Sequence, residues 1–391
     1  MNELPDRIER PGVEKFSSME ALGLCLRDAL AEDKDFYFFS PDETTSNKLS
    51  AVYEVTSRAW LGELKAWDKD MAVGGRVIEL LSENVLFAMM AGHVLYGGRG
   101  AMASYEAFWP IVSSQLDQYI KFIQQASGMR WRDKVSALNL ISTSTCWRQD
   151  HNGFSHQNPA MISSLLDKPS NLVNCLFPVD DVASVASWEF MSRTKDVVNF
   201  TTVNKTKEPR WIDINHARFQ LTNGGASIFR FASDEEPDVV VVGAGDIVSK
   251  EALLGMEIVR EKMPEVRMRF VGIGALSYGA IGTVENKLKQ GDFEDYFTLD
   301  KPIVANFHGY AGTLGGILRN YTDGGRVYVN GFADKGSTTT PMDMLTRNGV
   351  SRWDVAGRIF DLRGREDLAE EMRKKIQENE EYARLCGIDT V

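Results

Sequence analysis

The chain reads as an α/β protein made of two three-layer α/β/α domains, and three observations predict this. Short apolar runs of strand length alternate with longer stretches of helical spacing along nearly all 391 residues. The composition, 43% hydrophobic and 25% charged, is that of a globular chain able to bury more than one core. The charged run Ser233 to Pro237, SDEEP, interrupts the alternation, and a new strand–helix–strand series begins beyond it. The expected division is a linker over residues 1–16, a first domain over 17–232 with a mainly parallel sheet, and a second over 237–391 with a smaller mixed sheet.

Taken in order, Ser17 to Ala31 has helical spacing, with Leu22, Leu24, Leu26 and Leu30 on or near one face. Phe36 to Phe39 is a short aromatic strand, and the following turn, SPDETTS from Ser40 to Ser46, can present hydroxyls and backbone N–H groups to a ligand. Arg76 to Leu80 reads as a buried strand and Glu83 to Leu95 as an apolar helix with the glutamate in its first turn. Glycines 97, 98 and 100 break the chain before a long helical pattern, Tyr105 to Ala126, in which Tyr105, Phe108, Val112 and Leu116 recur at three and four. Val135 to Ile141 then reads as a strand feeding the polar segment Trp147 to Pro159.

Past SDEEP, Asp238 to Val242 is a strand, Ile247 to Lys262 a helix, Val266 to Ile273 a strand and Asp300 to Tyr310 another. Gly243-Ala-Gly245 stands between strand and helix like a dinucleotide loop, but Val248 occupies the place of the third glycine, so a tight turn is expected. Gly336 to Pro341, GSTTTP, is a hydroxyl-rich turn, and Arg363 to Arg384 a charge-alternating solvated helix.

With 44 basic against 55 acidic residues, the net charge of −11 opposes non-specific binding to nucleic acid or an anionic membrane. An anionic substrate must then be held by a few cations converging in one cleft. The charged opening MNELPDRIERPG and the lack of any long apolar run lead to the expectation of a soluble cytoplasmic protein. Cys25, Cys146, Cys175 and Cys386 lack CxxC spacing, which argues against a zinc site or a disulfide framework.

The segment Trp147 to Pro159, WRQDHNGFSHQNP, concentrates two of the five histidines with an arginine, an aspartate, two glutamines and two asparagines around Gly153. Beyond a strand end it is placed to hold a substrate, or else it is a hydrogen-bonded surface loop. Glu83, entering an apolar helix, is either a partner of the helix dipole or a functional carboxyl with a raised pKa. Tyr105 and Phe108 of SYEAF suit stacking on a flat heterocycle.

SPDETTSNKL, LLSEN, SYEAF, WRQDHNGFSHQNP, Lys205 in VNKTKEPRW and GSTTTPMDM together resemble, in order and spacing from about Leu22 to Ile388, the C-terminal half of phosphoketolases. These are thiamine diphosphate enzymes of carbohydrate metabolism, and HNGFSHQ is specific to them. The resemblance implies a pyrimidine-binding thiamine diphosphate fold followed by a transketolase C-terminal-like domain. It implies that Glu83 hydrogen-bonds the aminopyrimidine and promotes its imino tautomer, that Phe108 stacks on that ring, and that Tyr105 neighbours the reacting intermediate. His156 corresponds to the active-site histidine, Gln149 and Asn152 to holders of substrate hydroxyls, and Ser46, Lys48, His151 and Lys205 to the phosphate grip. The implied reaction is an aldehyde-lyase cleavage of xylulose 5-phosphate or fructose 6-phosphate with phosphate, giving acetyl phosphate and an aldose phosphate. Histidines would move the protons. A transketolase-like two-carbon ketol transfer in a biosynthetic pathway is the alternative; a non-catalytic regulatory pseudo-subunit predicts loss of Glu83, Tyr105, Phe108 and His156, all of which are present.

Three departures accompany the resemblance. The family's diphosphate-binding half carries a GDG segment for the metal, and no GDG occurs here. This implies a split enzyme in which a separate chain supplies that domain and the Mg2+ ligands, with no metal ligand on this chain and a heterotetramer as the natural assembly. The family's arginine after SN is Lys48, which keeps the charge and loses the bidentate fork. Gly97-Gly98-Arg99-Gly100 replaces GRHG, and Asn158 stands where an acidic residue is usual.

Overall fold

The computed structural model describes residues 4–391 and shows two compact units that interleave along the sequence. The first comprises the chain up to Ser144, Ser170–Leu176 and Asp180–Arg218; the second comprises Thr145–Pro169, Phe177–Val179 and Phe219–Val391. Both are mixed α/β, as the alternation predicts.

The first unit opens with β1 (Lys15–Ser17), which pairs antiparallel with a strand at Lys207–Pro209. Residues expected as linker are therefore ordered into the fold, because Gly12 N–H donates to Arg210 O (2.8 Å) and the Arg210 guanidinium lies 3.8 Å from the Phe16 ring centroid. Ser17 caps α1 (Ser18–Glu32) by accepting from Glu20 N–H at 3.2 Å. Then follow β2 (Phe36–Ser40), β3 (Arg58–Ala59), β4 (Met71–Ala72), β5 (Val77–Glu79), α2 (Glu83–Leu95) and β6 (Arg99–Tyr105). The helical pattern of Tyr105 to Ala126 divides: Glu106–Val112 is a 3-10 helix and α3 starts only at Ser113 (Ser113–Ala126). Pro110 explains the division, since it lacks an N–H and its ring obstructs the preceding turn. After β7 (Leu138–Thr143) comes α4 (Ala160–Leu166), which belongs to the second unit, then β8 (Val173–Leu176), α5 (Asp181–Arg193), β9 (Val198–Thr202) and β10 (Lys207–Pro209).

Strands of the first unit run in the order β8-β9-β7-β6-β2-β5-β3-β4, every neighbouring pair parallel. Alternation along β2 assigns its two faces. Phe36 and Phe38 join Leu22, Leu26, Leu30, Ala101, Ile141, Val185 and Trp188 in one core, under α1 and α5. Tyr37 and Phe39 point the other way, against His93 of α2. Helices on both faces make three layers, and the parallel pairing gathers the carboxyl ends of β2, β6, β7 and β9 along one edge.

Through α6 (Ile214–Thr222) the chain enters the remaining part of the second unit: β11 (Ala226–Ile228), β12 (Val239–Ala244), α7 (Asp246–Lys262), β13 (Met268–Ile273), the hairpin β14 (Ala275–Ser277) and β15 (Ala280–Ile281), α8 (Gln290–Phe297), β16 (Ile303–Tyr310), α9 (Ala311–Leu318), β17 (Val327–Phe332), α10 (Pro341–Arg347), α11 (Arg352–Leu362) and α12 (Glu366–Cys386). The sheet order is β11-β13-β12-β16-β17, parallel except for β11. Asn306 of β16 donates to Val248 O (3.3 Å) and Val350 O (2.9 Å) on the α7 side. Its neighbour Phe307 packs edge-on against Phe177 at 5.4 Å. Residues 145–169, which the sequence groups with the first domain, lie in this unit because Trp147 is buried in it: its indole N–H donates to His308 O (3.0 Å) and its ring meets Phe332 edge-on.

The Gly243–Gly245 turn serves packing. A Cβ on Gly243 would lie 2.3 Å from Ser249 Oγ, and Gly245 has φ +113° with His308 Cβ 2.8 Å from the place of its missing Cβ. Among the described residues no helix is long and apolar enough to cross a membrane.

Candidate active site

In the first unit the site grows from the loop after β2. Glu43 N–H donates to Ser40 Oγ (3.3 Å) and Asn47 N–H to Glu43 O (2.9 Å), so the loop closes on itself as a single turn. Two buried side chains then fix it to the sheet. Thr44 donates to Glu79 of β5 at 2.5 Å, and Ser144 donates to Asn47 Oδ1 at 3.2 Å. Asp42 and Lys48 adopt left-handed φ values of +61° and +65° where the loop bends. The bend brings Ser46 Oγ within 3.3 Å of Tyr105 OH at the end of β6. Phe108 stacks on Tyr105 with centroids 6.0 Å apart, and Lys205 Nζ stands 4.9 Å from the Tyr105 centroid. Ser46, Tyr105, Phe108 and Lys205 thus meet at the carboxyl edge of one sheet.

Beside them lie two carboxyl groups. Glu83 is the first residue of α2, and Ser104 donates to it at 3.5 Å. Glu43 accepts from Tyr105 N–H (3.2 Å) and Asn47 Nδ2 (3.4 Å). Burial pushes the Glu43 carboxyl up to about 8; the Asn47 hydrogen bond opposes this and the neighbouring charge of Glu83 adds to it. Near neutral pH, Glu43 therefore keeps its proton and can donate it. Sequence reasoning missed this residue: SPDETTSNKL marks the loop, but nothing in a run of turn-forming residues signals that one of its acids becomes buried.

Lys48, in the same loop, is a further residue expected to bind phosphate. Its exposed side chain lines a cavity of about 520 Å³ with Glu20, Leu24, Thr45, Ser50, Ala51 and Glu54.

In the second unit, the polar segment is pinned by the turn before α10. Thr339 N–H donates to Asp150 O (3.0 Å), and Gln157 Nε2 donates to Gln149 O (2.8 Å) and Ser337 O (3.1 Å). Gly153, at φ +75°, sits where a Cβ would be 2.5 Å from Thr338 Oγ1, so this close approach admits no side chain. The segment presents His151 and Asn152 exposed and His156 half-buried, with Ser155 Oγ 2.9 Å from His156 Nδ1. Gln149 is 1% exposed, and neither polar atom of its amide has a hydrogen-bond partner among the described residues. Leaving such a group unsatisfied costs about 1–3 kcal/mol, a sacrifice of stability that suits a group awaiting a ligand hydroxyl.

A flat, hydrogen-bonding heterocycle such as an aminopyrimidine fits the residues of the first unit. Stacked aromatic rings offer a face, and Glu83, whose Ser104 contact is long, retains acceptor capacity.

A family model described as D-xylulose 5-phosphate/D-fructose 6-phosphate phosphoketolase matches residues 20–192, and the C-terminal domain of that family matches residues 205–391. A probable phosphoketolase of Synechocystis sp. is 35% identical over 98% of this chain and 49% of its own, and one of Nostoc sp. is 34% identical over the same shares. The chain therefore spans about half the length of the curated relatives it matches. Among solved structures, a transketolase from Pichia stipitis superposes with TM-score 0.69 at 13% identity, covering 92% of this chain and 48% of that one. A split-gene transketolase chain, an inactive β4 tetramer, superposes with TM-score 0.62 at 14% identity over 88% of this chain and 98% of its own. The fold is a transketolase-like α/β fold. On the family match and the relatives' identity along nearly its whole length, the chain belongs to the phosphoketolase family.

Proposed function

We propose that this chain is the pyrimidine-binding and C-terminal portion of a split phosphoketolase-like enzyme that cleaves xylulose 5-phosphate or fructose 6-phosphate with phosphate to give acetyl phosphate and an aldose phosphate. The observation that carries the reading is the cluster at the carboxyl edge of the first sheet, where a cation, two hydroxyls, stacked aromatics and two carboxyl groups, that of Glu43 pushed up by burial, meet. Thiamine diphosphate, when bound, supplies the carbon nucleophile for a ketose carbonyl. Glu83 would hydrogen-bond the pyrimidine ring, with protonated Glu43 beside it, and Phe108 would hold the ring's face. In the first unit Ser46 and Lys205 bind phosphate and Tyr105 serves the reacting carbon; in the second unit His151 is a phosphate ligand, Gln149 and Asn152 hold hydroxyls and His156 moves protons.

A separate chain supplies the diphosphate-binding domain and the Mg2+ ligands, in a heterotetramer. The likeness in fold to a split-gene transketolase chain supports this. Calorimetric titration of thiamine diphosphate and magnesium, into this chain alone and with a GDG-bearing partner, tests the reading: tight binding in the mixture only is expected. Tight binding by this chain alone would overturn the split arrangement. Product analysis then decides between phosphate and an aldose as acceptor. An aldose acceptor would make the reaction a transketolase-like ketol transfer. A pseudo-subunit would retain whatever role it has when Glu83 is replaced by Ala.

A further inference from the structure

The polar segment 149–157 is held by a relay that begins near the C-terminal end of α12. Asp389 is half-buried, and its carboxylate accepts from Thr340 Oγ1 (2.5 Å), Met342 N–H (2.9 Å) and Asp343 N–H (3.3 Å), capping the first turn of α10. Asn379 of α12, fully buried, donates to Asp389 Oδ1 (3.3 Å) and accepts from Thr390 N–H (2.9 Å) and Thr390 Oγ1 (2.8 Å), so the carboxylate is itself fixed. From Thr340 the chain runs back through Thr339, Thr338 and Ser337, and each of these meets the polar segment, at Asp150, Gly153 and Gln157 respectively. α10 also lies against the single turn Cys146–Arg148 that leads into it. Three consecutive residues mated to one loop, and anchored at one end by a carboxylate bound four times, form a stiff connection rather than a chance contact.

We propose that Asp389 is a positioning residue: acting through Thr340 and the 337–339 strip, it holds the 149–157 segment in the bend that presents His151, Asn152 and His156. Its functional consequence rests on reading that segment as substrate-binding; the mechanical connection does not. Without Asp389, the start of α10 loses its cap and the 337–339 strip loses its fixed end, so the segment opens more often.

Amide hydrogen exchange on the full chain tests this. Asp389→Ala is expected to speed exchange of Gly153, His156 and Thr339, whose N–H groups donate to Gln149 O, Gly153 O and Asp150 O, by about tenfold or more. Thr340→Val, which removes one bond and leaves the carboxylate, is expected to give a smaller effect on the same amides. Faster exchange confined to Met342 and Asp343, with 149–157 unchanged, would overturn the proposal, because it would reduce Asp389 to a local helix cap. If Asp389→Ala is too unstable to study, the same criterion applies to Thr340→Val. In the reconstituted enzyme, the variant is expected to raise KM for the ketose phosphate more than it lowers kcat. A faster-opening segment with unchanged KM would support the relay and count instead against the substrate reading.

Discussion

Two side chains at the carboxyl edge of the first sheet carry opposite electrostatic duties. Glu43 has an ordinary value near 4.5 and is pushed up to about 8 in the folded chain, so between those pH values the native state keeps a proton that the unfolded state has lost. Stability contributed by this group is therefore full below about pH 4.5 and declines as pH rises through 8. Glu43→Gln, which mimics the protonated acid, should flatten that slope. Urea unfolding from about pH 5 to about pH 8 reads it directly, and an unchanged slope would show that Glu43 is ionised throughout. Lys205 lies over the ring of Tyr105, whose hydroxyl meets Ser46. A charge-assisted hydrogen bond to phosphate contributes about 1.5–3 kcal/mol, so Lys205→Ala should weaken ketose phosphate binding to the reconstituted enzyme about 10- to 100-fold. Calorimetry showing unchanged affinity would remove Lys205 from the phosphate grip.

At the scale of elements, the loop bearing Glu43 and Ser46 is tied to the strand leading into α2. Glu79, nearly buried on β5, accepts from Thr44 (2.5 Å), from Tyr53 (3.0 Å) and from the Arg58 guanidinium. Glu79→Gln swaps two acceptor oxygens for one and sets an N–H₂ against other donors, which should destabilise the unit by about 1–3 kcal/mol. Thr44→Val, milder, should cost about 1 kcal/mol and lower cofactor affinity with little change in melting temperature if the tie serves the site. Cofactor titration of both variants in the presence of the partner chain checks this. The same elements show what the sequence makes legible. Helix Glu83–Leu95 and strands Phe36–Ser40 and Ile303–Tyr310 are readable to within a few residues, because apolar spacing and flanking breakers encode them locally. The region Tyr105–Ala126 misleads because its three-and-four spacing persists across the Pro110 break. The histidine-rich segment is conspicuous by residue type alone. Glu43 is not, since its character comes from Asn47, Tyr105 and Glu83, a burial that only the folded chain defines.

For the whole molecule, the interleaving of the two units bears on how the chain can be divided. A cut suggested by the SDEEP run, or by the start of the matched C-terminal domain at 205, assigns everything beyond it to one independent piece. Yet the second unit includes Thr145–Pro169 and Phe177–Val179. Phe177 packs on Phe307 and donates its N–H to Gly274 O (2.9 Å); Trp147 covers Phe332 and binds His308 O; Ser163 and Thr313 share a 2.7 Å hydrogen bond. A fragment of residues 219–391 would lack all of these. Removing a large buried aromatic costs about 3–5 kcal/mol, and two such losses rival the 5–15 kcal/mol that holds a typical domain folded. The fragment should therefore melt over a broad range, bind a dye for exposed apolar surface and keep its helical signal, the behaviour of a chain with secondary structure but loosened packing. A sharp, cooperative melt within a few degrees of the full chain would mean that Trp147 and Phe177 cover a core already complete without them.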